Sequence, residues 1–258
     1  MVELQQYNGE TLLLLEIPKK IVSLVPSVTE TLIEWGKSPV ARTQFCIYPK
    51  EKVKDIPHVK GTKNPDIEKI IQLSPDLIIA NKEENRQQDI EHLKRHCPVW
   101  ITYPEDIKSM LYYLEDLAKI VENKNKTDQD IKNVRQYFTV LQKKDKNKIA
   151  CFIWKKPWMV AAGKTYISSL IESYCSNAFG HVERYPHIEL SEIKKNSVDH
   201  IFLLTEPFCF NDTHRQELKV YFNEQGIDMP VSILNGENFT WPGPRSIEAI
   251  EEMKRVLN

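Results

Sequence analysis

The chain has 258 residues, 41% of them hydrophobic and 28% charged, with a formal net charge of −1. That length suffices for one large domain or two lobes with a sizeable core, and the composition carries no sign of disorder. The charge balance supplies no global field for nucleic acid or an anionic membrane, so neither is expected as a partner.

Taken from the N-terminus, the apolar run Leu12–Leu15 is too short for a signal-peptide core and is flanked by Glu3, Glu10 and Glu16 rather than by basic residues. No stretch approaches the ~20 apolar residues of a membrane span. The expectation from the residues is a chain with no export signal, lipid anchor or span, unless a leader has been removed. Ile21–Val25, Val40–Thr43, Leu77–Ala80 and Val99–Thr102 read as strands. Between them the pattern predicts a helix that begins after Pro26 and ends near Gly36, with Ser27 and Thr29 as cap candidates. A second is predicted from Asp66 to Leu73, with Ile67, Ile70 and Ile71 on one face, and a third over Glu84–Arg95. Repeated strand-helix units are what a parallel sheet requires.

The stretch Ile107–Lys146 differs, with no Gly, no Pro and apolar residues at helical spacing. Polar Glu122–Asp130 is expected to separate two helices, with Thr127 or Asp128 capping the second over roughly Asp128–Lys144. Such a helix spans on the order of 25 Å. It either bridges two lobes or packs wholly on one sheet; periodicity alone leaves both open. Alternation then resumes with strands Ile149–Trp154, Met159–Ala162, His200–Thr205 and Val231–Leu234, and helices Tyr166–Tyr174, Ser191–Asn196, Asp212–Gln225 and Arg245–Leu257. The expected architecture is α/β: a lobe over 1–125, a linking helix over 126–147 and a second lobe over 148–258.

Several chemical readings fail on the residues. Gly163-Lys164-Thr165 lacks the upstream glycine of a phosphate loop, since that position holds Trp158, and reads as a turn into a helix. His92 and His96 are four apart on a predicted helix, but no HExxH glutamate accompanies them, and a solvated face is the stronger reading. Cys46, Cys97, Cys151, Cys175 and Cys209 form no CxxC pair and suit reduced, individually buried thiols. No GxSxG elbow is present, so neither catalytic nor metal-ligating residues are assigned. Aromatic residues in turn-rich segments are more informative: Tyr48, Trp154, Trp158, Tyr185 and Trp241. Aromatics of this kind give area and stiffness to a site for a large, flat, partly apolar ligand.

The block IVSLVPSVTETL at Ile21–Leu32 resembles the start of the helical-backbone metal-receptor superfamily, the type III periplasmic binding proteins. FCIYP (Phe45–Pro49), GTKNPDIEKIIQLSPDLIIA (Gly61–Ala80) and NKEENRQQDIEHL (Asn81–Leu93) continue the pattern. WMVAAGKTYISSLIE (Trp158–Glu172), RYPHIELSEI (Arg184–Ile193) and TWPGPRSIEAI (Thr240–Ile250) extend it more loosely through the second half. The resemblance implies two Rossmann-like α/β lobes joined by a long backbone helix, with ligand in a cleft between them.

Within that superfamily the chain looks like the cobalamin-binding branch, whose members hand corrinoid to an ABC importer. The resemblance places Tyr48, Trp154, Tyr185, Glu237 and Trp241 at the ligand. It puts Thr62 and Asn81 where cobalamin binders carry tryptophans, which leaves room for another corrinoid, haem or a ferric siderophore. Glu68 matches one acidic residue that docks on a permease. The second such position holds Ser191, with Glu192 beside it. The implied function is therefore a monomeric, non-enzymatic solute-binding protein, periplasmic by family, with no intrinsic cofactor. A cytosolic corrinoid- or chelate-handling protein is the alternative, and a chelatase-like enzyme a more distant one.

Overall fold

The apolar runs become the central strands of two parallel sheets in the computed structural model, which describes residues 1–142 and 145–257. By contact the chain divides into two units. The first takes Met1–Pro104 and Ser109–Asn133, and the second takes Glu105–Lys108 and the chain from Val134 onward.

The first unit opens with an antiparallel hairpin, β1 (Val2–Gln5) and β2 (Thr11–Leu14). The apolar run at Leu12–Leu15, read above only for its shortness, supplies its second strand. The chain turns at Asn8-Gly9, where Gly9 takes φ +86°, a conformation open to glycine without a Cβ clash. Next come β3 (Ile21–Ser23), α1 (Pro26–Glu34), β4 (Ala41–Arg42), α2 (Lys50–Val53), β5 (Lys60–Gly61) and β6 (Asn64–Pro65). They are followed by α3 (Ile67–Gln72), β7 (Leu77–Asn81), α4 (Gln87–Leu93) and β8 (Val99–Thr102). The sheet runs β4-β3-β7-β8, all parallel, while β5 and β6 pair separately and antiparallel.

Strands β3 and β8 are buried at every residue and β7 at all but its last, as befits strands covered on both faces. Val22, Leu24, Ile70, Ile78, Ile90 and Leu93 belong to the core beneath them. On α3 Ile70 is fully buried, and Ile67 and Ile71 pack half-buried against the same core.

Two predicted caps are corrected. The N-cap of α1 is Val25, without a side-chain cap; Pro26 starts the helix instead, its missing N–H costing nothing there. Ser27 and Thr29 lie inside the helix and are buried, Thr29 Oγ1 lying 2.8 Å from Ser23 Oγ. Farther on come α5 (Ile107–Lys119) and α6 (Lys124–Val140). The polar stretch predicted to separate them is mostly helix, α6 beginning at Lys124 rather than at Asp128. Thr127 therefore sits in its first turn, donating from Oγ1 to Lys124 O at 3.0 Å. The predicted end of this helix at Lys144 lies outside the described residues. By the division above, α6 passes from the first unit into the second.

In the second unit β9 (Lys148–Trp154), β10 (Met159–Val160), α7 (Tyr166–Tyr174), β11 (Ser176–Asn177) and α8 (Ser191–Lys195) precede β12 (His200–Leu204). Then follow α9 (Asp212–Asn223), β13 (Val231–Leu234), α10 (Gly236–Thr240) and α11 (Ser246–Leu257). The sheet runs β10-β9-β12-β13 with β11 also on β9; β9, β11, β12 and β13 are parallel and β10 antiparallel. Phe152, Ile201, Leu203, Leu218 and Phe222 are fully or almost fully buried in its core. Both units are α/β layers built on parallel strands, which is the predicted fold class.

Candidate functional site

Parallel strands end on the same side of a sheet, so the segments that leave their C-terminal ends become neighbours. In the first unit these segments follow β4, β3, β7 and β8. The one after β4 carries Phe45 and Ile47, which are 52% and 45% exposed, together with half-buried Tyr48. Lys50 Nζ lies 5.8 Å from the Tyr48 ring centroid, a long cation–π contact.

Asn81 is the last residue of β7. Its Oδ1 accepts the N–H groups of Glu83 at 2.8 Å and Glu84 at 3.3 Å, an Asx-type turn that fixes the exit of the strand. Thr62 lies in the turn between β5 and β6. One buried residue, Asn85, ties these pieces together. Its Oδ1 accepts from Asn81 N at 2.8 Å, and its amide lies 3.0 Å from Thr62 O and 3.4 Å from Leu24 O, just after β3. Nothing in the sequence singles out Asn85, because its partners lie up to 61 positions away.

The second unit repeats the arrangement at the ends of β9, β12 and β13. Trp154 closes β9, 40% exposed, and meets Phe208 of the segment after β12 with ring centroids 5.6 Å apart at 71°. Phe208 in turn contacts Phe210 at 4.7 Å and His214 at 5.2 Å. Trp158 is half-buried, its ring parallel to Phe210 at 6.1 Å and edge-on to Phe152 at 5.2 Å, so it anchors the row to the core. Lys155 Nζ lies 5.3 Å over Trp158 and is paired with Glu217. Arg184 lies over the half-buried Tyr185 ring at 5.4 Å, and burial pushes the Tyr185 phenol up from its ordinary range.

Glu237 sits in the first turn of α10, its N–H donating to Asn235 Oδ1 at 3.1 Å. Close to it is Glu206, which the sequence reading does not find. Its carboxyl accepts from Thr240 Oγ1 at 3.3 Å and from the side chain of Trp241. Burial, followed by the charge of Glu237, raises its pKa to about 6. A Cβ on Gly236 would come within 2.2 Å of Glu206 N, so glycine is what lets α10 start this close to the β12 exit. Trp241 is 5% exposed, with the Arg245 guanidinium 5.3 Å over its ring.

The expected permease-facing residues are not gathered with these groups. Glu68 is an exposed residue in the first turn of α3, whose N-cap Asp66 accepts from Lys69 N at 3.3 Å. Ser191 is exposed at the start of α8, and the Glu192 carboxylate accepts the Glu189 N–H at 2.8 Å, which engages it locally. Gly163-Lys164-Thr165 leads into α7, with Thr165 as N-cap accepting from Ser168 N at 3.2 Å. The His92 and His96 rings are 5.6 Å apart and tilted, and among the described residues no cluster suited to a metal ion is found. Cys46, Cys151 and Cys175 are buried, Cys97 is half-buried and Cys209 is exposed, so most of the five, as expected, are core residues. No helix among the described residues is long and apolar enough to cross a membrane.

The chain is similar to the vitamin B12-binding protein of Vibrio parahaemolyticus serotype O3:K6, 25% identical over 252 residues covering 91% of this chain and 88% of that protein. Its fold is shared with the periplasmic vitamin B12 binding protein BtuF of Vibrio cholerae, with a TM-score of 0.74 at 21% identity over 93% of this chain and 97% of that one. It is shared also with the periplasmic heme-binding protein RhuT from Roseiflexus sp. RS-1, with a TM-score of 0.77 at 15% identity over 92% and 97% of the two chains. These are folds of two α/β lobes, the architecture that the resemblance implied. Residues 21–220 match the model of the family described as periplasmic binding protein. With most of its length accounted for in this way, the chain belongs to the periplasmic binding protein family.

Proposed function

We propose that the chain is the solute-binding component of an ABC-type importer, and that it carries a corrinoid of the cobalamin type or another metal chelate such as haem or a ferric siderophore. The observation that carries this reading is the half-open aromatic set at the strand ends: Tyr48 after β4, and Trp154 and Tyr185 in the second unit. Aromatic faces of this size suit a large, flat, partly apolar cargo, and polar groups such as Thr62 and Asn81 on the first unit and Glu237 on the second suit its rim. The similarity to vitamin B12-binding proteins across 91% of the chain points the same way. Trp158 and Trp241 belong to the same ligand-binding reading, their rings steadied by Phe210 and by Glu206 with Arg245. The protein holds its cargo without transforming it, as a monomer, and releases it to a permease that reads Glu68 on one unit and the Ser191–Glu192 region on the other. The linking-helix boundaries 126–147 belong to the same reading.

Titration with cyanocobalamin, dicyanocobinamide, haemin and ferrichrome, followed by ligand absorbance, tests the ligand class. Saturable one-to-one binding of at least one is expected; failure of all four defeats it. A second reading, a chelate-handling protein that docks on no permease, is favoured by one observation: Ser191 presents a hydroxyl where the docking role calls for a carboxylate. Fractionation of native cells separates the two, because the importer component is expected outside the cytoplasm.

A further inference from the structure

The exit of β12 is given no role by the sequence, yet the structure sets its apolar residues beside the exposed tryptophan of β9. Strand β12 pairs parallel with β9 through Leu203 and Phe152, so the two chains leave the sheet side by side. Trp154 and Phe208 meet there at 71°, forming a corner with one partly open ring on each wall. Phe208 is held from behind by Phe210 and His214, and Phe210 by Trp158, whose ring is parallel to it within 2°. The corner is thus braced as far as the fully buried Phe152. Its flanking charge is neutralised, since Lys155 is paired with Glu217 and lies over Trp158. His214 Nδ1 accepts the Asn211 N–H at 3.1 Å, which leaves Nε2 as the proton-bearing nitrogen and makes this imidazole a donor rather than a metal ligand.

We propose that Phe208 is a ligand-contacting residue which, with Trp154, forms an aromatic corner selecting a planar macrocycle over an open-chain chelate. The inference rests on the solute-binding reading above and narrows its ligand class. A rigid corner of two rings at a steep angle offers one face for stacking and one edge for a T-shaped contact, and only a flat, extended ring uses both. A hydroxamate chelate, whose donors wrap round the metal, presents no such plane. Because the Phe208 wall is pre-set by packing against Phe210 and His214, that side of the corner loses little side-chain freedom when the ring arrives.

The adjacent thiol supplies a readout independent of mutation. Cys209 is exposed and follows Phe208 directly, while Cys46, Cys151 and Cys175 are buried and burial pushes the Cys97 thiol up to about 11. Cys209 is therefore the thiol expected to react first with an aromatic disulfide reagent at neutral pH. The test combines three measurements on the full chain: affinities of wild type for cyanocobalamin, dicyanocobinamide, haemin and ferrichrome; the same for Phe208→Ala and Phe208→Leu; and the modification rate of Cys209 with and without the tightest macrocycle.

The expected results are a macrocycle bound at least about tenfold more tightly than ferrichrome, a loss of about three- to tenfold in Phe208→Leu with a greater loss in Phe208→Ala, and slower Cys209 modification in the complex. A Phe208 that serves structure alone shifts the melting temperature of the variants but leaves Cys209 equally reactive with and without ligand. That result overturns the inference while the binding reading stands, as does a preference for ferrichrome. If wild type binds none of the four, the binding reading fails and takes this inference with it.

Discussion

The side chain of Trp241 donates to the carboxylate of Glu206, which Thr240 Oγ1 also reaches at 3.3 Å. Those bonds favour the charged form, but burial and the neighbouring Glu237 outweigh them and lift the pKa from 4.5 to about 6. The folded state therefore binds the Glu206 proton more tightly than the unfolded chain does. Stability from this group is fully present below about pH 4.5 and is lost as pH rises through about 6, the difference being about 2 kcal/mol. Glu206→Gln, which keeps an acceptor without the charge, is expected to raise the melting temperature by several degrees at pH 7.5 and to match wild type near pH 4. Melting curves at the two pH values check this; an unchanged or lower value at pH 7.5 contradicts it.

Thr62 and Asn81 differ in what a larger residue would displace. Asn81 Oδ1 holds two backbone N–H groups, so replacing it dismantles a turn. The inward bond at position 62 uses the backbone carbonyl of Thr62, which a substitution retains. Thr62→Trp is therefore expected to tighten cyanocobalamin binding by about three- to tenfold, the worth of one added aromatic contact, with little change in melting temperature. Fluorescence titration of variant and wild type decides it.

Asn85 closes three backbone segments onto one buried amide. Asn85→Ala leaves the Asn81 N–H and the Leu24 and Thr62 carbonyls without it, at a cost of about 2–3 kcal/mol. Urea unfolding measures that cost, and the same variant is expected to weaken ligand binding, because the exits of β3 and β7 lose their common tie.

Thr165 offers the contrast of a helix cap outside the proposed ligand-binding set. Its Oγ1 caps α7 at Ser168 N and donates to Ala162 O at 2.7 Å, all of it buried. Thr165→Ala should cost about 1–2 kcal/mol in urea unfolding and leave ligand affinity unchanged.

The central strands are legible because buried parallel strands read as unbroken apolar runs such as Leu77–Ala80 and Ile149–Ile153. The N-terminal hairpin escapes that reading although Asn8-Gly9 carries its turn signal, since Leu12–Leu15 is weighed there only as a targeting segment. The predicted caps of α1 fail because Ser27 and Thr29 lie within the helix and are buried, and the Thr29 hydroxyl donates back to the Val25 carbonyl at 3.1 Å and to Ser23 rather than accepting an N–H of the first turn. In the site, exposed aromatics such as Trp154 announce themselves in turn-rich sequence. Glu206, Phe208 and Asn85 do not, because their roles depend on which strands lie side by side. The adjacency of β9, β12 and β13 sets Trp154 beside Phe208 and Glu206 beside Gly236, and no local pattern encodes that order.

Binding of a planar metal macrocycle is what we propose for this chain. Calorimetric titration of the wild-type protein with cyanocobalamin and, in parallel, with haemin tests it most directly. One site per chain and a Kd below roughly 1 µM, or about −8 kcal/mol, are expected for at least one of them. No saturable heat with either ligand would contradict it.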